Sequence, residues 1–358
     1  MKINYYFCFK EDKRSSMDML GNYISKSQKK FRNNNVLKFI PKIYLPKWLS
    51  NKNFFLRFER YLSYPFQVFF EKQTDIAHVI DHSYSHLVKY INAKKKVVTI
   101  NDLIPLVFGK KLNRNFLLFK YSVSKIIFFD HVIALSKQSK NDLIKFTKID
   151  PKKISVVYPD VEKIFNLKKV NKKKLNKIFK LPYETKKIIS FDTSFYKNFK
   201  YTYSVFKEIL KTNPNVIILK IGNFSDDEIE EKHKKQIFTY NSLSRKEMSN
   251  LYKISDILFF PSLYEGFGIP CLEAMKCGLP VISSSNGSLK EFVNNRSLFN
   301  LNNKTKILNE ILKILSNKKY SNKARKVSIN QSKILNKVPY HKQINKIYKD
   351  LLAQSSSN

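Results

Sequence analysis

The chain has 358 residues, about the length of two domains, and is 43% hydrophobic and 14% aromatic, which suffices for two buried cores and excludes general disorder. Its formal net charge is +39, yet only eight of its 67 basic residues are arginine. Arginine is the better side chain for reading bases and clamping phosphates, so the charge argues against a nucleic-acid partner and leaves an anionic membrane surface open. Three cysteines, Cys8, Cys271 and Cys277, show no metal-ligand spacing; their odd number speaks against a disulfide framework and for a reducing cytosol.

In chain order, short apolar runs alternate with helix-length segments. Strands are predicted at Lys2–Cys8, Ile76–Ile80, Val97–Ile100, His131–Ala134 and Ile154–Tyr158, with helices over Asn113–Phe128 and Ser136–Thr147. A boundary falls near Val157–Asp160, before the lysine- and asparagine-rich Leu167–Lys180. A fresh series follows, with strands at Lys187–Phe191, Val216–Ile221, Ile257–Phe260 and Val281–Ser283, and helices over Thr202–Thr212, Ser244–Ser255 and from Lys304 onward. Many strand runs are too uniformly apolar for a half-exposed sheet, so they suit parallel sheets covered on both faces. The alternation implies an α/β doubly wound architecture, in which ligands bind at the carboxyl ends of the strands. The opening residues lack the apolar core of a signal peptide and no run reaches membrane-span length, so a cytoplasmic protein is expected, with peripheral contact at the inner face of the cytoplasmic membrane as an option.

The informative stretch is Ile257-Leu-Phe-Phe-Pro-Ser-Leu-Tyr-Glu265-Gly-Phe-Gly268-Ile-Pro270-Cys-Leu-Glu273-Ala-Met-Lys-Cys-Gly278-Leu-Pro-Val-Ile-Ser283. A strand leads into a glycine-containing loop; Pro270 suits the first position of a helix and Gly278 the position just past its end. Gly266 and Gly268 let backbone approach a ligand closely. The helix start presents N–H groups and the positive end of a dipole to a diphosphate. Glu265 is placed to accept from sugar hydroxyls, and Glu273, one turn into the helix, to accept from a ribose diol. Taken alone, Glu273 is equally a glutamate that complements the helix dipole.

Glu265-x7-Glu273 within PSLYEGFGIPCLEAMKCGLPVISSS resembles the donor-site signature of the retaining glycosyltransferases of family 4, the glycosyl transferases group 1. The likeness is specific over Leu258–Glu291 and runs more weakly from about Asp75 to Val293, through VVTINDLIPL, VVYPDVEKIF and the YKNF of Tyr196–Phe199. It implies a GT-B fold of two Rossmann-like domains facing each other across a cleft. Residues 1–159 then form an acceptor-binding domain and 160–337 a nucleotide-sugar donor-binding domain. Residues 338–358 form a C-terminal helix, with the option of returning to the first domain, and a flexible tail. The resemblance implies that Glu265 contacts the transferred sugar, that Gly266, Phe267 and Gly268 offer backbone to sugar and phosphate, and that Glu273 holds the ribose. It implies that Lys197 neutralises the leaving diphosphate; in so lysine-rich a chain a merely solvated side chain is the alternative.

The chain departs from the pattern where Phe191 and Tyr196 stand in place of an arginine and Asn101 in place of a histidine. Asn101 cannot act as acid or base but can bond a sugar hydroxyl. His82, after the strand at Ile76–Ile80, is a candidate for sugar contact and equally a structural histidine, as is His86. No metal or other cofactor is required, and the pair Asp226–Asp227 reads as a solvated loop. Two stretches mixing cations with large apolar residues, Lys29–Arg60 and Lys110–Phe129, suit either an anionic membrane surface or amphipathic helices with a core face. The resemblance implies transfer of a hexose from a nucleotide-sugar to a glycan or lipid-linked glycan acceptor, with retention, in bacterial surface polysaccharide assembly. A nucleotide-sugar epimerase or hydrolase, and a non-enzymatic basic glycan- or nucleic-acid-binding protein, are the competing readings.

Overall fold

A computed structural model of the chain describes residues 1–12, 15–44, 53–109, 116–224, 229–335 and 338–354. Asp226–Asp227, the tail beyond Gln354 and parts of both basic stretches (45–52 and 110–115) lie outside the described residues. The chain divides into two compact units, Met1–Asp160 with Val338–Asn358, and Val161–Lys337.

The first unit holds a six-stranded parallel sheet in the order β2-β1-β3-β4-β5-β6, formed by β1 (Lys2–Tyr6), β2 (Asn35–Phe39), β3 (Thr74–Val79), β4 (Ala93–Ile100), β5 (His131–Ala134) and β6 (Ile154–Val156). The central strands are buried along nearly their whole length, as sheets covered on both faces require. Val79, Val98, Val132 and Ala134 meet Tyr6, Leu103, Phe119 and Leu143 in one core. Helix Lys137–Phe146 starts where the Ser136 side chain accepts from Ser139 N at 2.9 Å, and Ser139 Oγ then donates to the Asn101 carbonyl at 2.9 Å, tying the helix to the end of β4. The C-terminal helix Tyr340–Ala353 packs on this sheet, burying Tyr340, Ile344 and Tyr348 completely. Tyr348 Oη lies 3.0 Å from Tyr5 Oη and 2.5 Å from His78 Nδ1, and His78 Nε2 lies 2.7 Å from Thr99 Oγ1. Burial pushes the His78 pKa down to about 3, so this chain of hydrogen bonds holds a neutral imidazole.

The second unit holds a parallel sheet in the order β12-β11-β10-β7-β8-β9, from β7 (Lys186–Phe191), β8 (Val216–Ile221), β9 (Ile237–Tyr240), β10 (Ile257–Phe260), β11 (Val281–Ser284) and β12 (Leu298–Phe299). Counted from β7 this is the Rossmann order, with the topological switch point between β7 and β10. Helix Phe199–Thr212 buries Phe199, Val205, Phe206 and Ile209 against Ile188, Ile218 and Ile257 of the sheet. Three strands absent from the sequence reading, β2, β9 and β12, are all sheet edges. β2 and β9 are largely half-exposed or exposed, so their sequences lack the continuous apolar run that marks a central strand.

Candidate active site

The second unit builds a polar site where the strand order reverses, at the carboxyl ends of β7 and β10. After β7 the chain makes a tight turn, Phe195–Lys197, and Asn198 takes a left-handed conformation, φ 61°, before helix Phe199–Thr212. Asparagine tolerates that region better than most residues. Two bonds hold this turn against the loop after β10: Leu263 N donates to the Tyr196 carbonyl at 2.7 Å, and Asn198 Nδ2 to the Pro261 carbonyl at 3.2 Å. Lys197 Nζ consequently lies 2.6 Å from Glu265 Oε1, both side chains nearly buried at 10% and 8% exposed. The ammonium also sits 4.7 Å from the centre of the Phe260 ring and 5.4 Å from that of Tyr196. Burial works against the charged lysine, but Glu265 and the Tyr196 phenol outweigh it and hold the Lys197 pKa above the usual range.

Glu265 is fixed from behind by backbone. Gly287 adopts φ +61°, and a Cβ there would fall 2.7 Å from the Glu265 carbonyl oxygen and 2.8 Å from its nitrogen, so only glycine fits. Ser288 N and Oγ both donate to the same carbonyl, at 3.2 and 3.1 Å. Gly268, at φ +92°, caps the helix Ile269–Lys276. Pro270 takes the second position of that helix, one residue later than expected, and Gly278, at φ +72°, lies just past its end. Gly266 is buried in the loop, and the Phe267 ring stacks on Phe292 at 4.6 Å, which leaves backbone as what this loop offers a ligand.

Glu273 lies one turn into the helix and is 2% exposed. Arg245 bonds its Oε1, and Tyr252 Oη donates to its Oε2 at 3.2 Å. Arg245 opens helix Arg245–Ile254, whose start is fixed by a capping box between Ser244 and Glu247. Its Nε also donates to Glu162 Oε2 at 2.8 Å, and its guanidinium covers the Phe165 ring at 4.5 Å. Burial pushes the Glu273 carboxyl up despite the opposing pull of Arg245. Arg245 is pulled down by burial and raised further by Glu273 and Glu162, so it stays charged. The sequence reading missed Arg245. Its Ser-x-x-Glu start was legible as a helix cap, but a contact across 28 residues was not. Also missed was the fully buried pair Lys220–Asp192, 2.9 Å, at the ends of β8 and β7, where Gly222 at φ +93° lets the backbone pass close to Asp192.

His82 and Asn101 belong to the first unit, where they follow the adjacent parallel strands β3 and β4. His82 is 2% exposed, packs edge-on against Phe119 and lies 3.5 Å from Asp81. Asn101 is 8% exposed, and its Nδ2 is buried without a hydrogen-bond partner among the described residues. His86 is locked between Ser122 Oγ and the Arg60 carbonyl, and burial pushes its pKa down to about 3. Gly21 sits inside helix Ser15–Gln28, where a Cβ would fall 2.6 Å from Ile80, so it serves helix–sheet packing. Arg60 bonds Asp12 at 3.2 Å and the Ser83 carbonyl, and Tyr84 Oη donates to the same carboxylate. Among the described residues no three His, Cys, Asp or Glu side chains gather as a metal site.

The loop, helix and paired carboxylates of the second unit are thus one contiguous sequence segment, and that segment matches a known family. Residues 171–333 match the family model described as glycosyl transferases group 1. The O-antigen chain mannosyltransferase RfbU of Salmonella typhimurium is 29% identical over 210 residues, 58% of this chain and 56% of that protein; the matched stretch thus spans about half the length of this curated relative. Sucrose-phosphate synthase from Thermosynechococcus elongatus superposes with a TM-score of 0.74 at 15% identity, over 99% of this chain and 100% of that one. HepE from Anabaena, solved with UDP and glucose, gives 0.73 at 14% identity over 98% and 100%. The group 1 match and these superpositions give the chain the GT-B fold of two parallel-sheet α/β domains.

Proposed function

We propose that the chain transfers a hexose from a nucleotide-sugar to a glycan or lipid-linked glycan acceptor, with retention of anomeric configuration, in the assembly of a bacterial surface polysaccharide. The observation that carries this reading is the Lys197–Glu265 pair at the switch point, beside a helix start whose glutamate Glu273 is held by Arg245 and Tyr252. The diphosphate of the donor sits at the amino end of helix Ile269–Lys276, against the backbone of Gly266–Gly268. Lys197 exchanges Glu265 for the leaving phosphate, and Glu265, released, faces the sugar and offsets positive charge at its anomeric carbon. Glu273 accepts from the ribose diol. As the bond from anomeric carbon to phosphate oxygen breaks, the acceptor oxygen bonds that carbon from the same face. The hydroxyl proton passes to the departing phosphate oxygen, so the step balances without a separate base. RfbU is a mannosyltransferase and HepE is solved with UDP and glucose, which supports a hexose and a nucleoside diphosphate. No metal enters this step.

A thermal-shift panel of UDP, GDP, ADP and CMP on the wild type and on Glu273→Ala tests the donor site. A ligand at about 100 times its Kd adds about 2.7 kcal/mol. One nucleoside diphosphate should stabilise the wild type and lose most of that effect in the variant. If none does at millimolar concentration, the donor reading fails. Release of free sugar in the absence of acceptor would favour a hydrolase.

A further inference from the structure

Between residues 54 and 70 every exposed side chain is apolar: Phe54, Phe58, Leu62, Phe66, Phe69 and Phe70, at 48 to 71%. A surface helix ordinarily turns polar residues outward. Here the inward face is filled by Glu59, Tyr64, Pro65 and Val68, and the outward face is apolar as well. The segment is two short α-helices, Asn53–Phe58 and Tyr64–Phe69, joined by a π turn over Glu59–Ser63. Residues spaced by four drift about 40° per step around an α-helix. The wider π turn takes part of that drift back and keeps the stripe on one side.

A second element extends the stripe. Tyr61 Oη donates to the Leu118 carbonyl at 3.2 Å and lies 3.2 Å from Ser122 Oγ, which seats helix Phe116–Ser124 alongside. That helix exposes Leu117 at 74% and Tyr121 at 48%, and the 3-10 turn that follows it, Lys125–Phe128, exposes Phe128 at 53%. Cations lie over these rings: Lys125 over Tyr121 and Phe128, and Lys89 over Phe128. Opposite charge is scarce within the two segments, and the acids that follow them directly, Glu71 and Asp130, are half-buried. Residues 53–70 contain a single carboxylate, Glu59, which is buried, and residues 110–129 contain none.

We propose that this face of the first unit docks on an anionic lipid bilayer, with the phenylalanines in the acyl boundary and the lysines at the headgroups. Aromatic side chains flanked by cations match both layers of such a surface. A second copy of the chain is disfavoured, because a twofold contact would bring two copies of the same cationic patch together, with no exposed carboxylate in either segment to pair with it. The proposal does not rest on the transferase reading, since its readout is partition alone.

Flotation of the full chain tests it, with phosphatidylcholine vesicles with and without phosphatidylglycerol. The wild type should float with anionic vesicles at least tenfold better than with neutral ones. The net charge alone would attract any face of this chain, so the deciding variant leaves charge unchanged. F66S/F69S/F70S should lose at least tenfold in partition while retaining its Tm and its nucleotide response. Lys125→Glu with Lys89→Glu should weaken the preference for anionic lipid without abolishing it, and leave partition to neutral vesicles unchanged. Absence of flotation at low salt, or unchanged partition of the triple serine variant, would overturn the proposal. So would a dimer in gel filtration that the serines abolish, which would assign the face to self-association.

Discussion

Replacing Lys197 by methionine removes the ammonium and keeps the side-chain volume. It leaves Glu265 8% exposed with no cation at 2.6 Å. Breaking a buried ion pair by deleting one partner costs roughly 3–5 kcal/mol. The remaining exposure of both side chains places this case at the lower end, about 3 kcal/mol, well within the stability of an ordinary domain. Glu265→Gln added to that variant removes the orphaned charge and should restore most of the lost stability, so the two changes are strongly non-additive in urea melts. Rate should behave differently. If the ammonium meets the departing diphosphate, its loss is felt in the transition state and kcat falls by about 10²–10³, the scale for losing one charge-stabilising group, with the donor KM much less affected. The assay is nucleotide release under saturating donor and acceptor, at a temperature where melts show Lys197→Met fully folded. A folded Lys197→Met protein with kcat within a few-fold of wild type would refute the role, and Lys197 would then serve only to neutralise Glu265.

Arg245→Ala leaves the Glu273 carboxyl, already raised by burial, with Tyr252 as its remaining recorded partner. Its pKa should rise further. In the proposed donor site the ionised form accepts from the ribose, so donor affinity should begin to fall at a higher pH in the variant than in the wild type, measured by titration calorimetry across pH; equal pH profiles for variant and wild type would count against Glu273 as a ribose ligand. In the first unit, His78 has its pKa lowered to about 3 by burial, so the unfolded chain takes up a proton below about pH 6.5 that the folded one does not. That contribution is absent above pH 6.5, grows as pH falls toward 3, and should cost about 3 kcal/mol at pH 4.5. His78→Gln, which keeps hydrogen-bonding capacity but does not titrate, should flatten the acid limb of a urea-midpoint curve; parallel curves would refute the argument.

Strands inside the sheets declared themselves. Val216–Ile221 and Ile257–Phe260 are largely apolar runs bounded by polar or turn residues, His131–Ala134 continues into Leu135 before Ser136, and each is the strand it reads as. The helix Ile269–Lys276 was legible for a local reason too, since Pro270 and Gly278 act on the backbone within a few residues of themselves. What the sequence could not reveal is what the strand order creates. Lys197 and Glu265 are 68 residues apart and meet only because β10 pairs with β7. Arg245 reaches Glu273 because helix Arg245–Ile254 packs beside helix Ile269–Lys276. Tyr348 reaches His78 across 270 residues.

That same ordering explains why a chain of net charge +39 does not offer a donor bare positive charge here. In the second unit Lys197 is paired with Glu265, Arg245 with Glu273 and Glu162, and Lys220 with Asp192. A diphosphate arriving at such a site gains little from the net charge, which is spread over solvated lysines and screened by salt within about 10 Å. What remains for it is the helix start, the backbone of Gly266–Gly268, and whatever Lys197 contributes once it leaves Glu265. In the reaction proposed above, binding is coupled to an exchange of ion pairs: the carboxylate that held the cation becomes available to the sugar in the same event that gives the cation to the phosphate. A pair bound more tightly would hold the cation back, and an unpaired lysine would bind any phosphate without presenting Glu265. On the proposed reading, the nearly buried Lys197–Glu265 pair thus sets the order in which the two halves of the donor are engaged.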